Sequence, residues 1–276
     1  MTDQVEDQEN GKLEKEQEAV QLDLSAVTPP VEQQPRRRRA LVILFTTLIL
    51  ILSPILTILA LRWLPPPTSS FMIQKQVAKW RGKSKTGVAY RWVKWGEISP
   101  HLPSAVVASE DQKFPFHNGF DMEGIAEARK RNERGARLRG GSTISQQVAK
   151  NLFLWPGKSY LRKGLEAAIT VWIEWLWPKR RLLHVYLNIS EFGDGVYGVG
   201  AAADLLLKKP TTAITRYDAA LLAAVLPQPK RLRVERPSAY VQGRVEEILG
   251  QMQMLGDGYL SSLNEKKSKK TKRPHR

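Results

Sequence analysis

The order of apolar and polar positions separates one long apolar run from a body of mixed character. Ala40 to Leu61 contains no charged residue and is long enough to cross the roughly 30 Å hydrocarbon core of a bilayer as a helix. Pro54 is compatible with such a helix. The run is longer than the roughly 7–15-residue core of a cleaved signal, and no small-residue cleavage site follows it. The pattern therefore predicts a retained transmembrane helix at 40–61.

Beyond this segment the periodicity is mostly helical. One stretch, GVAYRWVKW at 87–95, has the partial alternation and β-favouring residues of a strand. Helical spacing predicts eight helices, at 104–113, 122–133, 143–153, 160–177, 179–189, 198–207, 217–226 and 238–255. We therefore expect one α-rich domain over 71–262.

Charge is distributed unevenly along the 276 residues, whose net charge is +16. The first 35 residues are rich in Asp, Glu and Gln and predict a disordered tail, and 263–276 forms a basic tail. Four arginines, Arg36 to Arg39, precede the apolar helix, so the positive-inside rule places 1–39 in the cytoplasm and the domain outside. The chain contains no cysteine, which excludes a disulfide framework and a thiolate site.

The first candidate for chemistry is EDQKFPFHNGFD at 110–121. Glu110 and Asp111 stand among phenylalanines and a histidine. A carboxylate beside aromatic rings loses hydration, which favours its protonated form and makes it a usable acid or base near neutral pH. The alternative is a solvated helix face before a turn.

The second candidate is RGGSTISQQVAKNLFL at 139–154. Thr143 and Gln146 have capping-box spacing, so a helix is expected to start there. Glycines before a helix N-terminus, with its unpaired N–H groups and positive dipole end, suit a phosphate. Gln147 and Lys150 lie three residues apart on that helix. The alternative is an ordinary capped helix with a solvated lysine.

The third candidate is GKSYLRKGLEAAITVWIEWLWP at 157–178. Ser159 can cap a helix on which Arg162 and Glu166 are one turn apart. The later turns of this helix are apolar, so they are predicted to lie in the core, with the tryptophans in the core or at the membrane interface. Glu166 is then expected at the boundary between the interior and solvent. The alternative for the charged pair is a surface ion pair of little energetic weight.

Together these segments resemble the peptidoglycan glycosyltransferases of family 51, which polymerise a lipid-linked disaccharide-peptide. The family's blocks occur in its order and spacing as EDQKFPFHNGFD, GGSTISQQVAKN, RKGLE, YLNISEFGDGVYGVGAAA and AALLAAVLPQP. They cover essentially the whole predicted domain. The chain is too short for an additional transpeptidase domain and has no S-x-x-K. The resemblance is therefore to the monofunctional form, typical of Gram-negative inner membranes.

The resemblance implies a mainly α, lysozyme-like fold with a small membrane-associated lobe. The arginine-dense segment 129–139 and LFLW at 152–155 could enter a headgroup region and hold lipid phosphates. The implied location is the bacterial inner membrane, with the catalytic domain periplasmic. The implied partners are lipid II, the growing lipid-linked glycan chain, the membrane and proteins of cell-wall synthesis or division. Nucleic acid is not expected as a partner of an exported domain.

The resemblance also assigns roles. Glu110 would be the general base that deprotonates the acceptor's 4-hydroxyl, which attacks the donor's anomeric carbon. The α-linked donor is inverted to a β-1,4 bond and polyprenyl pyrophosphate leaves. Asp111, Phe114 and His117 would support the Glu110 loop, with His117 in a hydrogen-bonding rather than a catalytic role.

Six further residues match positions that bind the substrate in this family: Ser142, Thr143, Gln147, Lys150, Lys158 and Arg162. Glu166 matches the second family glutamate, which lies near the donor pyrophosphate and would act through a divalent cation (Mg²⁺ or Mn²⁺) or through Arg162. No organic cofactor is implied. Lys158 stands where the family often has arginine, and it would hold phosphate as a point charge rather than as a fork.

Two other readings compete with this one. A lysozyme-like peptidoglycan hydrolase or lytic enzyme could use the same fold with a glutamate as general acid. The membrane anchor and the GGST block suit a lipid pyrophosphate better than a finished polymer. A non-enzymatic membrane scaffold would not require the full set of polar motifs.

Overall fold

A computed structural model of the chain describes residues 15, 34–124, 126, 141–157 and 159–263. The chain divides into two compact units, Met1–Pro54 and Ile55–Arg276. The predicted tails, 1–39 and 263–276, lie largely outside the described residues, as does the arginine-dense segment 129–139.

Helix α1 spans Gln34–Ala60. Its part from Arg38 to Ala60 is 23 residues long, contains an 18-residue window with a mean hydropathy of 2.7 and is long and apolar enough to cross a membrane. The side chains of 40–49 are exposed, and apart from Thr46 and Thr47 they are apolar, as in a lipid-facing helix. The helix agrees with the predicted anchor at 40–61 and is compatible with membrane attachment.

The second unit is mainly helical, as the sequence predicted. Its helices are α2 (Ser70–Trp80), α3 (His101–Glu110), α4 (Ile144–Phe153), α5 (Tyr160–Leu176), α6 (Lys179–Ile189), α7 (Gly198–Ala202, extended by a π-helical turn over Ala203–Leu207), α8 (Arg216–Val225) and α9 (Ala239–Leu255). Seven of the eight predicted helices are confirmed with small shifts at their ends. The eighth, at 122–133, is described as helical only at 122–124 and 126. Helix α2 was not predicted.

The strand content is small. The strands β1 (Ala89–Tyr90), β2 (Glu191–Gly193) and β3 (Val196–Tyr197) form one sheet in the order β1-β3-β2, with β1 parallel and β2 antiparallel to β3. The strand predicted at 87–95 is therefore mostly wrong. After Tyr90 the backbone N–H of Val93 bonds to the side chain of Asn188 at 2.7 Å instead of to another strand.

The core lies where α8 packs against α3 and α9. Helix α8 is buried at every position from Asp218 to Val225, and four of these residues are alanines, whose small side chains allow neighbouring helices to approach closely. Around this centre α4 packs against α5 and α6. The two candidate segments at 139–154 and 157–178 are thus brought together as neighbouring helices.

Helix α5 corrects one expectation. Its buried positions are Arg162, Glu166, Thr170 and Ile173, which lie on one face by helical periodicity. The apolar later turns were expected to be core, but they lie largely on the opposite face, where Trp175 is 74% exposed. Glu166 is not at the solvent boundary, because its position on the inner face buries it.

LFLW at 152–155 also departs from its expected surface role. Leu152 and Leu154 are buried, whereas Trp155 is 43% exposed. The two leucines pack inward because they lie at the end of α4, which is enclosed by neighbouring helices. Phe153 is partly buried, and Trp155 is the most exposed of the four residues.

Close packing explains part of the block YLNISEFGDGVYGVGAAA. Asn188 is fully buried and its side-chain amide also bonds the carbonyl of Val93 at 3.1 Å. Gly198 has φ +79°, and a Cβ there would lie 2.3 Å from the carbonyl oxygen of Asn188. Only glycine fits this contact between α6 and the start of α7.

The end of α1 is attached to the junction of α5 and α6. The indole N–H of Trp177 donates to the carbonyl of Ile58 at 2.7 Å, and Arg181 Nη2 donates to that of Leu61 at 2.8 Å. In return Arg62 Nη1 donates to the carbonyl of Leu176 at 2.6 Å. These hydrogen bonds hold residues 58–62, at the end of α1, against residues 176–181.

Candidate active site

Glu110 is the last residue of α3. Its Oε2 accepts a hydrogen bond from Nε2 of Gln147 on α4 at 2.8 Å. Burial raises the pKa of Glu110 above its ordinary value, while the Gln147 hydrogen bond and the charges of Arg244 and Lys150 oppose that rise. A carboxylate in this setting can take up a proton near neutral pH.

Asp111, although adjacent, has different partners. Its buried carboxylate accepts the backbone N–H of Ile144, at the start of α4, at 2.9 Å. It also bonds Nε2 of His117 at 2.9 Å. The second carboxylate of the acid pair therefore fastens the end of α3 to the start of α4.

The loop after Asp111 is held by the residues expected to support it. His117 Nδ1 accepts the N–H of Gly119 at 3.1 Å, which leaves Nε2 to donate to Asp111. Phe114 is fully buried, and the Lys179 ammonium lies 4.6 Å from its ring centroid. Gly119 has φ +93°, and a Cβ there would approach Thr170 to 2.8 Å. These contacts agree with the supporting roles predicted for Phe114 and His117, which stay predictions.

The capping box predicted at the start of α4 is confirmed. Thr143 Oγ1 accepts the N–H of Gln146, and the Gln146 side chain accepts the N–H of Thr143 at 3.0 Å. The hydroxyl of Thr143, which is buried, donates to the carbonyl of Gly119 at 2.6 Å. The sequence suggested that the N-terminus of α4 binds a phosphate. In the structure the N–H of Ile144 at this helix end donates to the carboxylate of Asp111 instead.

Gln147 lies between Glu110 and a residue that the sequence reasoning did not single out. Tyr186, on α6, donates from its hydroxyl to Gln147 Oε1 at 3.1 Å. Tyr186 is almost completely buried, and burial raises its pKa well above its ordinary value. Tyr186 is the first residue of the block YLNISEFGDGVYGVGAAA, and its place in that block was the one feature of the sequence that could have indicated it.

Glu166 is the centre of a cluster of cations. Arg162 Nη1 donates to its Oε2 at 2.6 Å, and Lys163 contacts its Oε1. The side chains of Arg162 and Glu166 are 11% and 3% exposed, so the surface ion pair considered above is wrong. Lys163 also lies 3.4 Å from the hydroxyl of Ser142. Lys163 was missed, although its spacing of three residues from Glu166 could have indicated it.

Lys150 completes this cluster. Burial lowers the pKa of its ammonium, and the nearby Glu166 carboxylate acts in the opposite direction. The Arg162 and Lys163 charges lower that pKa further. Two cations thus contact the Glu166 carboxylate and Lys150 interacts with it electrostatically, so this region has an excess of positive charge that suits an anionic ligand. Lys158, the remaining predicted phosphate ligand, lies outside the described residues.

A cleft of about 1170 Å³ is lined by Gln147 and Lys150 of α4 and by Tyr186 of α6, whereas Glu110, Arg162, Lys163 and Glu166 are not among its lining residues. Lys75, Lys230 and Arg231 also line it. Its volume is slightly above the roughly 300–1,000 Å³ that is usual for ligand pockets. The cleft therefore has the size and positive charge that an anionic, sugar-containing substrate requires.

A divalent cation held by protein ligands does not fit this site. In the part of the chain that the structure describes, no group of three or more His, Asp or Glu side chains could hold a metal ion. Both oxygens of Glu166 already contact cationic side chains. The cation implied by the resemblance therefore stays a prediction, and it would take its ligands mainly from substrate phosphates and water.

Comparison with known proteins agrees with this geometry. The family model described as Transglycosylase matches residues 75–253. The biosynthetic peptidoglycan transglycosylase of Xanthomonas campestris pv. campestris (strain B100) is 50% identical over 210 residues, which cover 75% of this chain and 85% of that protein. The protein of the same description from Shigella boydii serotype 4 (strain Sb227) is 51% identical over 213 residues, covering 73% of this chain and 88% of that protein.

The helical fold and the acid–cation site therefore define a glycosyl-transferring enzyme. The chain belongs to the transglycosylase family. The resemblance to peptidoglycan glycosyltransferases is confirmed, and with it the expectation of a lysozyme-like helical domain.

Proposed function

We propose that this protein is a membrane-anchored peptidoglycan glycosyltransferase that polymerises lipid II into β-1,4-linked glycan strands and releases undecaprenyl pyrophosphate. The observation that carries the proposal is the position of α4: its Gln147 bonds Glu110 of α3, and its Lys150 interacts electrostatically with Glu166, which pairs with Arg162 and Lys163 on α5. A base beside a positive anion site is what transfer from a sugar pyrophosphate requires.

Glu110 supplies the proton acceptor. It removes the proton from the 4-hydroxyl of the acceptor sugar as that oxygen attacks the anomeric carbon of the donor. The bond between the anomeric carbon and the pyrophosphate oxygen breaks, and its electron pair leaves with the pyrophosphate. Attack from the face opposite the leaving group converts the α-linked donor into a β-1,4 bond.

The cation cluster acts on the leaving group. Lys150 and Lys163 can contact phosphate oxygens as point charges, while Arg162 is held by Glu166 at 2.6 Å and by the carbonyl of Gly157 at 2.9 Å. Charges fixed in this way before the reaction stabilise the negative charge that develops on the pyrophosphate. Pyrophosphate is a good leaving group, so the reaction does not require a general acid.

The hydrolase alternative is not favoured. A glycosidase of the usual type needs a second carboxyl group that is free to act on the sugar. The nearest carboxylate in sequence, Asp111, is instead bonded to Ile144 and His117. The relatives are named as biosynthetic enzymes.

For the cellular location we propose the inner membrane, with residues 1–39 cytoplasmic and the catalytic domain periplasmic. The apolar helix at Arg38–Ala60 supports membrane anchoring, and the arginines before it support this orientation. Association with other proteins of cell-wall synthesis or division stays a prediction from the family resemblance.

The test is a polymerisation assay with purified full-length protein in detergent. The protein is incubated with lipid II, with and without divalent cation, and separately with lipid-free glycan strands. We expect lipid II to be converted into a ladder of longer glycans and the lipid-free strands to stay intact. Shortening of the strands without use of lipid II would support the hydrolase instead. Glu110→Gln is the matched inactive control.

A further inference from the structure

Tyr186 has no role in the mechanism above, yet its hydroxyl lies two hydrogen bonds from Glu110. It donates to Gln147 Oε1 at 3.1 Å, and Gln147 Nε2 donates to Glu110 Oε2 at 2.8 Å. The three residues come from three different helices, α6, α4 and α3. The chain of bonds ends on the carboxylate that we propose as the base.

The amide of Gln147 can face Glu110 in two ways, because its oxygen and nitrogen ends are similar in size. With nitrogen toward Glu110, an ionised carboxylate receives a hydrogen bond. With oxygen toward Glu110, two acceptors would face each other and repel. The hydrogen bond from the hydroxyl of Tyr186 to the amide oxygen supports the first orientation.

We propose that Tyr186 is a positioning residue for glycosyl transfer: its hydroxyl holds the Gln147 amide so that an N–H faces Glu110. This inference rests on the proposed role of Glu110 as base. Among the described residues no hydrogen bond reaches the other oxygen of Glu110, Oε1. This chain of hydrogen bonds, the Tyr186–Gln147–Glu110 relay, thus fixes Oε2 of Glu110. It leaves Oε1 available to accept the proton of the attacking hydroxyl.

The arrangement also has a consequence for pH. Burial raises the pKa of Glu110, and the Gln147 hydrogen bond is the largest opposing influence. The charged or titratable groups that face Glu110 are Lys150 on α4, Arg244 on α9, Tyr186 on α6 and the neighbouring Asp111. Loss of the Gln147 donor leaves the charges of Lys150, Arg244 and Asp111 in place, so the pKa of Glu110 must rise.

The first test is Tyr186→Phe in the full-length protein, which keeps the buried ring and removes the hydroxyl. We expect kcat for lipid II polymerisation to fall roughly tenfold with KM unchanged. Since the ionised form of Glu110 is the active one, the acidic limb of the kcat–pH profile should move up by roughly one pH unit. Tyr90→Phe is the control, because its hydroxyl bonds the carbonyl of Pro66 at 2.7 Å, away from Glu110.

A second variant, Gln147→Leu, removes the side-chain amide that joins Tyr186 to Glu110. Position 147 is partly exposed. We expect the same movement of the acidic limb, and little additional effect in the double variant with Tyr186→Phe, since both act through one hydrogen bond. An acidic limb at the wild-type pH in either single variant would overturn the inference. Glu110→Gln distinguishes failure of this inference from failure of the proposed function. Only a wild-type polymerisation rate in Glu110→Gln would contradict the role of Glu110 as the base.

Discussion

The carboxylate of Asp111 accepts the backbone N–H of Ile144 at 2.9 Å, across 33 residues of sequence. This bond attaches the end of α3, which carries Glu110, to the start of α4, which carries Gln147 and Lys150. Asp111 thus helps to set the distance between Glu110 and the cation cluster, although its own carboxylate is bonded to Ile144 and His117.

Asp111→Ala should therefore weaken both stability and activity. The N–H of Ile144 and the ring of His117 lose their acceptor, and a buried polar group left without its partner costs about 1–3 kcal/mol. We expect a lower thermal midpoint by circular dichroism in detergent and a reduced polymerisation rate. Asp257→Ala, at an exposed position, is the control. An unchanged midpoint for Asp111→Ala would show that the bond contributes nothing.

Local patterns in the sequence predicted much of this architecture, because helix signals depend on nearby residues. The capping box of Thr143 and Gln146 and the helix at 179–189 are examples. Contacts between distant residues could not be read in the same way. Nothing local shows that Asp111 meets Ile144.

The largest errors share this cause. Helix α5 has apolar residues on both sides, so its periodicity alone did not show that Arg162 and Glu166 face inward. The strand predicted at 87–95 has suitable residues, but Asn188, far along the chain, takes the backbone N–H of Val93. Tyr186 was visible only as part of a family block, and its contact with Gln147 emerges from the packing of α6 on α4.

Lys150 gives a prediction with a pH signature. Lys150→Ala should reduce polymerisation at least tenfold without change of fold, because a charge-assisted contact contributes roughly 1.5–3 kcal/mol. Burial lowers the pKa of Lys150, so its ammonium is lost as pH rises through a value below 10.5. Activity should therefore decline on the alkaline side.

Lys150→Arg tests the origin of that decline. Arginine stays protonated to much higher pH, so the alkaline limb of the kcat–pH profile should move upward in this variant. Steady-state assays between neutral and alkaline pH measure the change. An alkaline limb that stays in place, or wild-type kinetics in Lys150→Ala, would show that Lys150 does not contact the pyrophosphate.

Glu166 should combine a structural with an electrostatic effect. Glu166→Gln leaves Arg162 buried without its counter-charge, and breaking a buried ion pair in this way costs roughly 3–5 kcal/mol. The cluster also becomes more positive. We expect a lower thermal midpoint and, by calorimetry, tighter binding of inorganic pyrophosphate than in the wild type. Weaker pyrophosphate binding would instead indicate that Glu166 holds the phosphate through a cation.

The orientation in the membrane can be tested because the chain contains no cysteine. Ser25→Cys and Ser261→Cys each introduce a single reactive thiol. In cells with a permeabilised outer envelope, a membrane-impermeant maleimide should label only position 261, since the arginines before the apolar helix keep position 25 in the cytoplasm. Labelling of position 25 alone would contradict the proposed periplasmic location.

The central claim is that Glu110 is the base of a polymerase, and the most direct measurement is the rate at which Glu110→Gln elongates lipid II. Glutamine keeps the size of the side chain but cannot accept the proton, so the rate should fall about 10²–10⁴-fold. Binding of inorganic pyrophosphate should persist, since other residues hold it. A near wild-type rate in a folded Glu110→Gln protein would contradict the account and make Glu166 the next candidate.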